Sequence, residues 1–225
     1  VSDFASLADA FRSRELWQII ALSLSISLSA TAAATIVGLP MGAALAIWRF
    51  PGRSIIVVAA NALLGLPPVV VGLALYLLLS HSGPFGWLGL LFSPAAMVIA
   101  QAILALPIVI ALAHRAAEEY WNSYGDVLMD LGASRLRAVP AIIAMAGAPM
   151  LTAALAGFGR TVSEVGAMII VGGNIAAYTR TMTTAIVLQT GMGNLPLALG
   201  LGLVLIGLTT MICAGAFVLA GRQSR

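Results

Sequence analysis

Two places in this chain of 225 residues combine residue types and spacings that could do chemistry. The first is Arg160 and Glu164, four residues apart in a run that is otherwise apolar. On a helix that spacing sets both side chains on one face, about one turn apart and within salt-bridge reach. Charge inside hydrocarbon is costly, so such residues pair with one another or line a wet cavity. Two readings stay open, an ion pair that locks the helix and an element of a pathway or gate for an anion. In the second reading Glu164 would weaken a grip that a bare arginine would make too tight.

The second place is Arg115 to Arg137, RAAEEYWNSYGDVLMDLGASRLR, which holds seven of the chain's nineteen formal charges. Within it Asp126, Val127, Leu128, Asp130, Leu131, Gly132 and Ala133 interleave carboxylates with apolar side chains. The spacing predicts a short amphipathic helix, a turn at Gly132 and a chain re-entering an apolar environment. A plain solvated loop is the alternative, but an exposed Leu/Val/Met stripe needs something to dock on. A third group, Gly172-Gly-Asn174 followed by Thr179, Arg180 and Thr181, offers hydroxyls and one cation. It fits either a transient anion contact, a docking loop or an ordinary loop before a helix.

Other chemistry lacks its parts. No G-x-x-x-x-G-K-[ST] phosphate loop occurs, and with eleven arginines and no lysine there can be none. No Ser/His/Asp set or pair of catalytic carboxylates stands out. His81 and His114 fall at opposite membrane faces and cannot share a metal. Cys213 is the one cysteine, so neither a disulfide framework nor a thiolate cluster is available. The chain is expected to bind no cofactor itself.

The elements that must position these residues follow from composition. At 61% hydrophobic and 8% charged, with a mean hydropathy of +1.05, the chain cannot cover a water-facing globule. Disorder, collagen-like repeats and nucleic-acid binding are excluded by the same figures. The net charge of +3 reports membrane orientation before it reports a polyanionic partner. A spanning helix needs about 20 apolar residues, and the charge-free tracts accommodate five, at about 17–47, 55–79, 95–114, 139–171 and 197–219. The expected fold is an all-α, multi-pass membrane protein in which 115–137 forms a loop and 221–225 a tail.

Arginine placement orients it. With the N-terminus outside, Arg49, Arg53, Arg115, Arg135, Arg137, Arg222 and Arg225 lie inside, against Arg12, Arg14 and Arg180 outside. The C-terminus is then cytoplasmic. No cleavable signal peptide is evident. Residues 1–16 place Phe4, Leu7, Ala8 and Phe11 at helical spacing, which suits a short helix in the outer interface or a frayed terminus. Several spans carry prolines, at Pro40, Pro107 and the Pro67–Pro68 pair. Proline frees backbone groups that a membrane tolerates only where neighbours re-satisfy them. Pro67 and Pro68 therefore read either as bundle packing or as a broken segment beside a pathway.

At this point the chain resembles the membrane-spanning permease subunits of type I ABC importers. Their loop motif runs E-A-A, three residues, Gly, nine residues, Ile, one residue, Leu-Pro. Asp126-Val-Leu128 stands on the E-A-A, Gly132 on the glycine and Ile142 on the isoleucine, while Ala144-Met145 replaces Leu-Pro. Leu131-GASRLRAVPAI, Gly157-FGRTVSEVGAMIIVGGNI and Tyr178-TRTMTTAI look like the oxyanion branch, which takes molybdate, tungstate and sulfate. Asn61-ALLGLPPVVVGLALYLLLSHSGPFGWLGLLFSP is most similar to tungstate-type members. The likeness covers about residues 17 to 220.

The resemblance implies a multi-pass subunit of a prokaryotic cell membrane. It implies two copies of a separate cytoplasmic ATPase carrying ATP and Mg, and an extracytoplasmic binding protein that delivers the oxyanion. Five spans are few for a pathway on a symmetry axis, so a homodimer is the economical assembly. It implies an ATPase-coupling role for Asp126 through Ala133. A stand-alone secondary transporter or channel is the main alternative, with Glu164 as its only intramembrane carboxylate. A membrane enzyme would need a reactive set, and none is present.

Overall fold

A computed structural model describes residues 14–223. Among them the chain forms α1 (Arg14–Ile47), α2 (Arg53–Ala62), α3 (Pro68–Leu79), α4 (Pro94–Asp130), α5 (Arg135–Met145), α6 (Gly147–Val162), α7 (Gly166–Gly172), α8 (Met182–Gly191) and α9 (Leu195–Gln223). Two single 3-10 turns, Leu63–Gly65 and Gly86–Leu88, complete the described elements. Three helices, α1, α4 and α9, are each long and apolar enough to cross a bilayer. The pairs α2/α3 and α5/α6, bent by 102° and 81°, raise the candidate spans to five. The all-α multi-pass architecture expected from composition is the one found.

The scaffold is the parallel pair α1 and α4. Ile26 shares a buried cluster with Met97 and Ala100, and Ala43 and Ile47 share another with Ala113 and Ala117. Gly38 and Gly42, four apart, let the two backbones approach closely. A Cβ on Gly42 would lie 2.8 Å from both the His114 backbone N and the Ile110 carbonyl O. Packing of this kind through small residues is how helices associate in lipid. α6 runs back along α4, and a Cβ on Gly157 would meet Val109 Cγ2 at 2.8 Å.

α9 runs in the direction of α1. Leu201 packs with Leu16 and Ile19, and further along Leu208 and Thr209 lie near Ser27 and Gln101. The starts of α1, α4 and α9 thus share one end of the molecule. The ends of α1 and α9, the start of α2 and the α4–α5 turn share the other.

Three expectations are corrected. The span at 95–114 and the loop at 115–137 are largely one helix, because α4 runs unbroken to Asp130. Ala116 and Ala117 continue its buried stripe onto Ala46, Ile47 and Ala138, so the helix has a surface to pack on beyond its first charge. The span at 139–171 is three helices, α5, α6 and α7, with breaks at Ala146 and at 163–165. The span at 55–79 is two, because Pro67 and Pro68 cannot donate the backbone bonds that would continue α2. By contrast Pro40 and Pro107 lie inside helices that run on. The expected interfacial helix with Phe4, Leu7, Ala8 and Phe11 lies outside the described residues. α9 extends through Gln223, into the expected tail.

Candidate functional site

The break before α3 exposes a carbonyl that the fold then satisfies. Leu66 precedes proline and is extended, with φ −58° and ψ 120°. Its carbonyl has no helical N–H to accept from, yet it sits beside α4, about a third of the way along it, near Ile103, Leu106 and Pro107. Arg160 Nη2, in the last turn of α6, donates to it at 3.4 Å. The same nitrogen lies 3.6 Å from Glu164 Oε2. The proline pair and the Arg/Glu pair, 94 residues apart in sequence, therefore form one site.

Glu164 sits in the break between α6 and α7, so the expected placement of both residues on one continuous helix is corrected. At that break the Ser163 hydroxyl donates back to the Gly159 carbonyl at 2.8 Å. The carboxylate of Glu164 serves both helices. Oε2 faces Arg160, and Oε1 accepts from the Ala167 N–H of α7 at 3.1 Å. Its side chain is 3% exposed and that of Arg160 is 28% exposed. The anion is thus the buried partner, and the cation keeps one edge at the surface beside Pro67 and Ser163, both exposed. α3 holds this arrangement against α7, where a Cβ on Gly72 would lie 2.8 Å from Ala167 Cα.

The third group is folded inward. Thr179 is fully buried, accepting from Ile175 N–H at 2.9 Å and donating to the Gly172 carbonyl. Thr181 caps α8 in a capping box with Thr184, and Arg180 is half-buried between them. Thr183 then donates to the Glu164 carbonyl at 2.9 Å. These hydroxyls hold the loop to the Glu164 break.

At the other end of α4 the sequence builds a turn. Gly132 has φ +81°, the left-handed region where a side chain is strained and glycine is not. The Ala133 N–H donates to Leu128 O at 3.0 Å and the Gly132 N–H to Met129 O at 2.9 Å, the two bonds of a Schellman ending. Ser134 then caps α5 by accepting from Arg137 N–H. The expected turn is there. Leu128 is half-buried and packs onto the inner cluster, whereas Val127, Met129, Leu131 and Leu136 are exposed. Asp126 and Asp130 are exposed on the same tip.

No atom lies within 4 Å of a Cβ built on Gly132, so backbone angle alone decides what the position tolerates. Gly132→Val should cost about 1–2 kcal/mol and Gly132→Asn distinctly less, because asparagine visits this region readily. Melting of the two purified variants checks this, and equal losses would contradict it.

A polar knot at the root of this tip went unseen in the sequence. Arg53 Nη2 donates to His114 Nε2 at 2.9 Å and to Glu118 Oε1 at 2.8 Å, while its Nε donates to the Leu45 carbonyl. Arg115 Nη2 donates to Asn61 Oδ1 at 2.9 Å. Together these bonds clamp α2 to α4. The i,i+4 spacing of His114 and Glu118 was the available signal. The sequence also missed Gln101, buried with its amide donating to the Thr161 carbonyl at 2.8 Å.

A bundle of up to five spans, a charged pair at a proline break and an apolar-acidic tip beyond the last turn of a span define a multi-pass transport subunit. Relatives narrow that class. The chain is 37% identical over 198 residues to a probable anion ABC transporter permease protein of Haloferax volcanii, covering 86% of this chain and 85% of the relative. It is 36% identical over 200 residues to the tungstate uptake system permease protein TupB of Peptoclostridium acidaminophilum, covering 89% and 88%. It is 31% identical over 181 residues to the molybdenum transport system permease protein ModB of Azotobacter vinelandii, covering 73% and 78%. No family model matches the chain. The chain belongs to the family of ABC transporter permease proteins.

Proposed function

We propose that this chain is the membrane-spanning subunit of an ATP-driven oxyanion importer, with tungstate first among its substrates and molybdate and sulfate as the other members of the class. Two copies form the pathway, and the surface bearing Pro67, Pro68 and the open edge of Arg160 lines it. The observation that carries this reading is the Arg160 geometry, a cation beside the α4 scaffold within the span, whose grip is tempered by a buried carboxylate. A tetrahedral dianion passing such a group gains attraction without a site deep enough to hold it. ATP and Mg belong to two copies of a separate cytoplasmic ATPase, which docks on the α4–α5 tip. An extracytoplasmic binding protein delivers the anion at the opposite end, near Thr179, Arg180 and Thr181.

Vesicles containing this subunit, its ATPase and its binding protein provide the test. ATP-dependent accumulation of tungstate, competed by molybdate more than by phosphate, is the expected result. Anion uptake by the chain alone, driven by an ion gradient, would overturn it.

The arginine bias also supports a direction. The end carrying Arg49, Arg53, Arg135 and Arg137 is placed in the cytoplasm, and the end of α9 with it. A single cysteine at position 223, in a background lacking Cys213, should resist an impermeant thiol reagent in intact cells and react after permeabilisation. Labelling from outside would reverse the orientation.

A further inference from the structure

We propose that a small cavity between α1, α4, α8 and α9 binds a single internal water molecule, held by the side-chain oxygen of Gln101 and neighbouring hydroxyls. The cavity measures about 10 Å³, and roughly 10–15 Å³ accommodates one water. It is far too small for a tetrahedral oxyanion, so it is separate from the transport path. Its polar lining is Ser23, Ser27, Gln101, Thr181, Thr183 and Thr209.

Gln101 is 2% exposed. Its Nε2 donates to the Thr161 carbonyl at 2.8 Å, and because a carbonyl can only accept, that bond fixes the orientation of the amide. Oε1 is left buried with no protein partner. An unmet acceptor in such surroundings costs about 1–3 kcal/mol, and no described group meets it. The Thr183 hydroxyl proton goes to the Glu164 carbonyl, that of Thr209 to the Leu205 carbonyl, and that of Ser23 to the Ile19 carbonyl.

Around the Gln101 oxygen these three hydroxyls keep lone pairs free while their protons are committed, and the Ser27 and Thr181 hydroxyls add groups that can accept as well as donate. A ligand that donates two protons fits this lining, and water is the smallest such ligand. Among the described residues no carboxylate lines the cavity, so a desolvated cation would lack a counter-charge. The water would link α4 and α9 to the start of α8, beside the hydroxyl that ties α8 to the Glu164 break. A bond to water can be remade as those segments shift, where a direct bond would have to break.

Pulsed X-ray radiolysis of the full chain in lipid nanodiscs tests this, because hydroxyl radicals born from a bound water oxidise the methionines beside it. Met182 lines the cavity, whereas Met97 is equally buried in an apolar cluster. Met182 should oxidise about fivefold faster than Met97, and Gln101→Leu should bring the two within about twofold, since the cavity then lacks its principal acceptor. Should that variant fail to fold, Thr209→Val keeps the volume and should slow Met182 about threefold. Equal rates in the native protein, or a Met182 rate unmoved by a folded variant, would overturn the proposal. A Met182 rate that changes when sodium is exchanged for choline would also overturn it, in favour of an alkali cation.

Discussion

Arg160→Ala is expected to destabilise the protein far more than Glu164→Gln. The asymmetry comes from burial, because Glu164 is the enclosed partner and Arg160 the half-open one. Removing the arginine strands a carboxylate inside the bundle and leaves the Leu66 carbonyl without its donor. Breaking a buried pair in this way costs about 3–5 kcal/mol in soluble cores. Glu164→Gln keeps an acceptor for the Ala167 N–H and leaves a cation that can reach water, a loss of about 1 kcal/mol.

The combination Arg160→Met with Glu164→Gln removes both charges and keeps that acceptor. It should melt near the native protein yet take up tungstate at least about tenfold more slowly, the loss expected when a charge-assisted contact worth about 1.5–3 kcal/mol disappears from the path. Native uptake in the double variant would reduce the pair to an architectural lock. Native stability in Arg160→Ala would show that the carboxylate is not enclosed.

The second large effect is at the tip. Leu131 is 80% exposed and Leu136 is 72% exposed, and the Schellman turn holds them either side of Gly132. Burying two such side chains against a partner is worth about 3–6 kcal/mol at roughly 1.5–3 kcal/mol each. Leu131→Asp with Leu136→Asp should therefore abolish co-purification with the ATPase and bring ATP-dependent uptake to background. Because both side chains are largely exposed, melting of the isolated subunit should shift little. Retained ATPase binding would place the docking surface elsewhere.

The sequence disclosed the spans, the Gly132 turn and the Arg160–Glu164 pairing because each is a local signal. Charge-free length marks a membrane crossing, one glycine marks a left-handed residue, and four-residue spacing keeps Arg160 and Glu164 within reach even though the helix ends between them. It misplaced the end of α4 because a charge shows where a chain leaves hydrocarbon, not where its helix stops. Arg115 and Glu118 lie on a helix whose opposite face, Ala116 and Ala117, still packs on α1. The breaks at Ala146 and at 163–165 were hidden for the reverse reason. Nothing polar interrupts α5 from α6, and at the second break the Glu164 carboxylate bonds forward to the Ala167 N–H, a contact that i,i+4 spacing to Arg160 does not announce. The meeting of Leu66 with Arg160 could not be read, since contacts between distant segments leave no periodic trace. Gln101 was passed over because one amide in a long apolar run has no spacing to a partner.

The continuity of α4 has a mechanical meaning. Its 37 residues make a rod about 55 Å long at 1.5 Å per residue. α1 is fastened to it at Gly38 and Gly42, where the two backbones meet and little sliding is possible. The pair then moves as a lever. A tilt of about 5° pivoting at the Pro94 end sweeps the Asp130 end through roughly 5 Å, given that length. The stroke of a nucleotide-driven motor would enter at the far end of this arm, and the anion path, beside Ile103 to Pro107, would feel roughly a third of it.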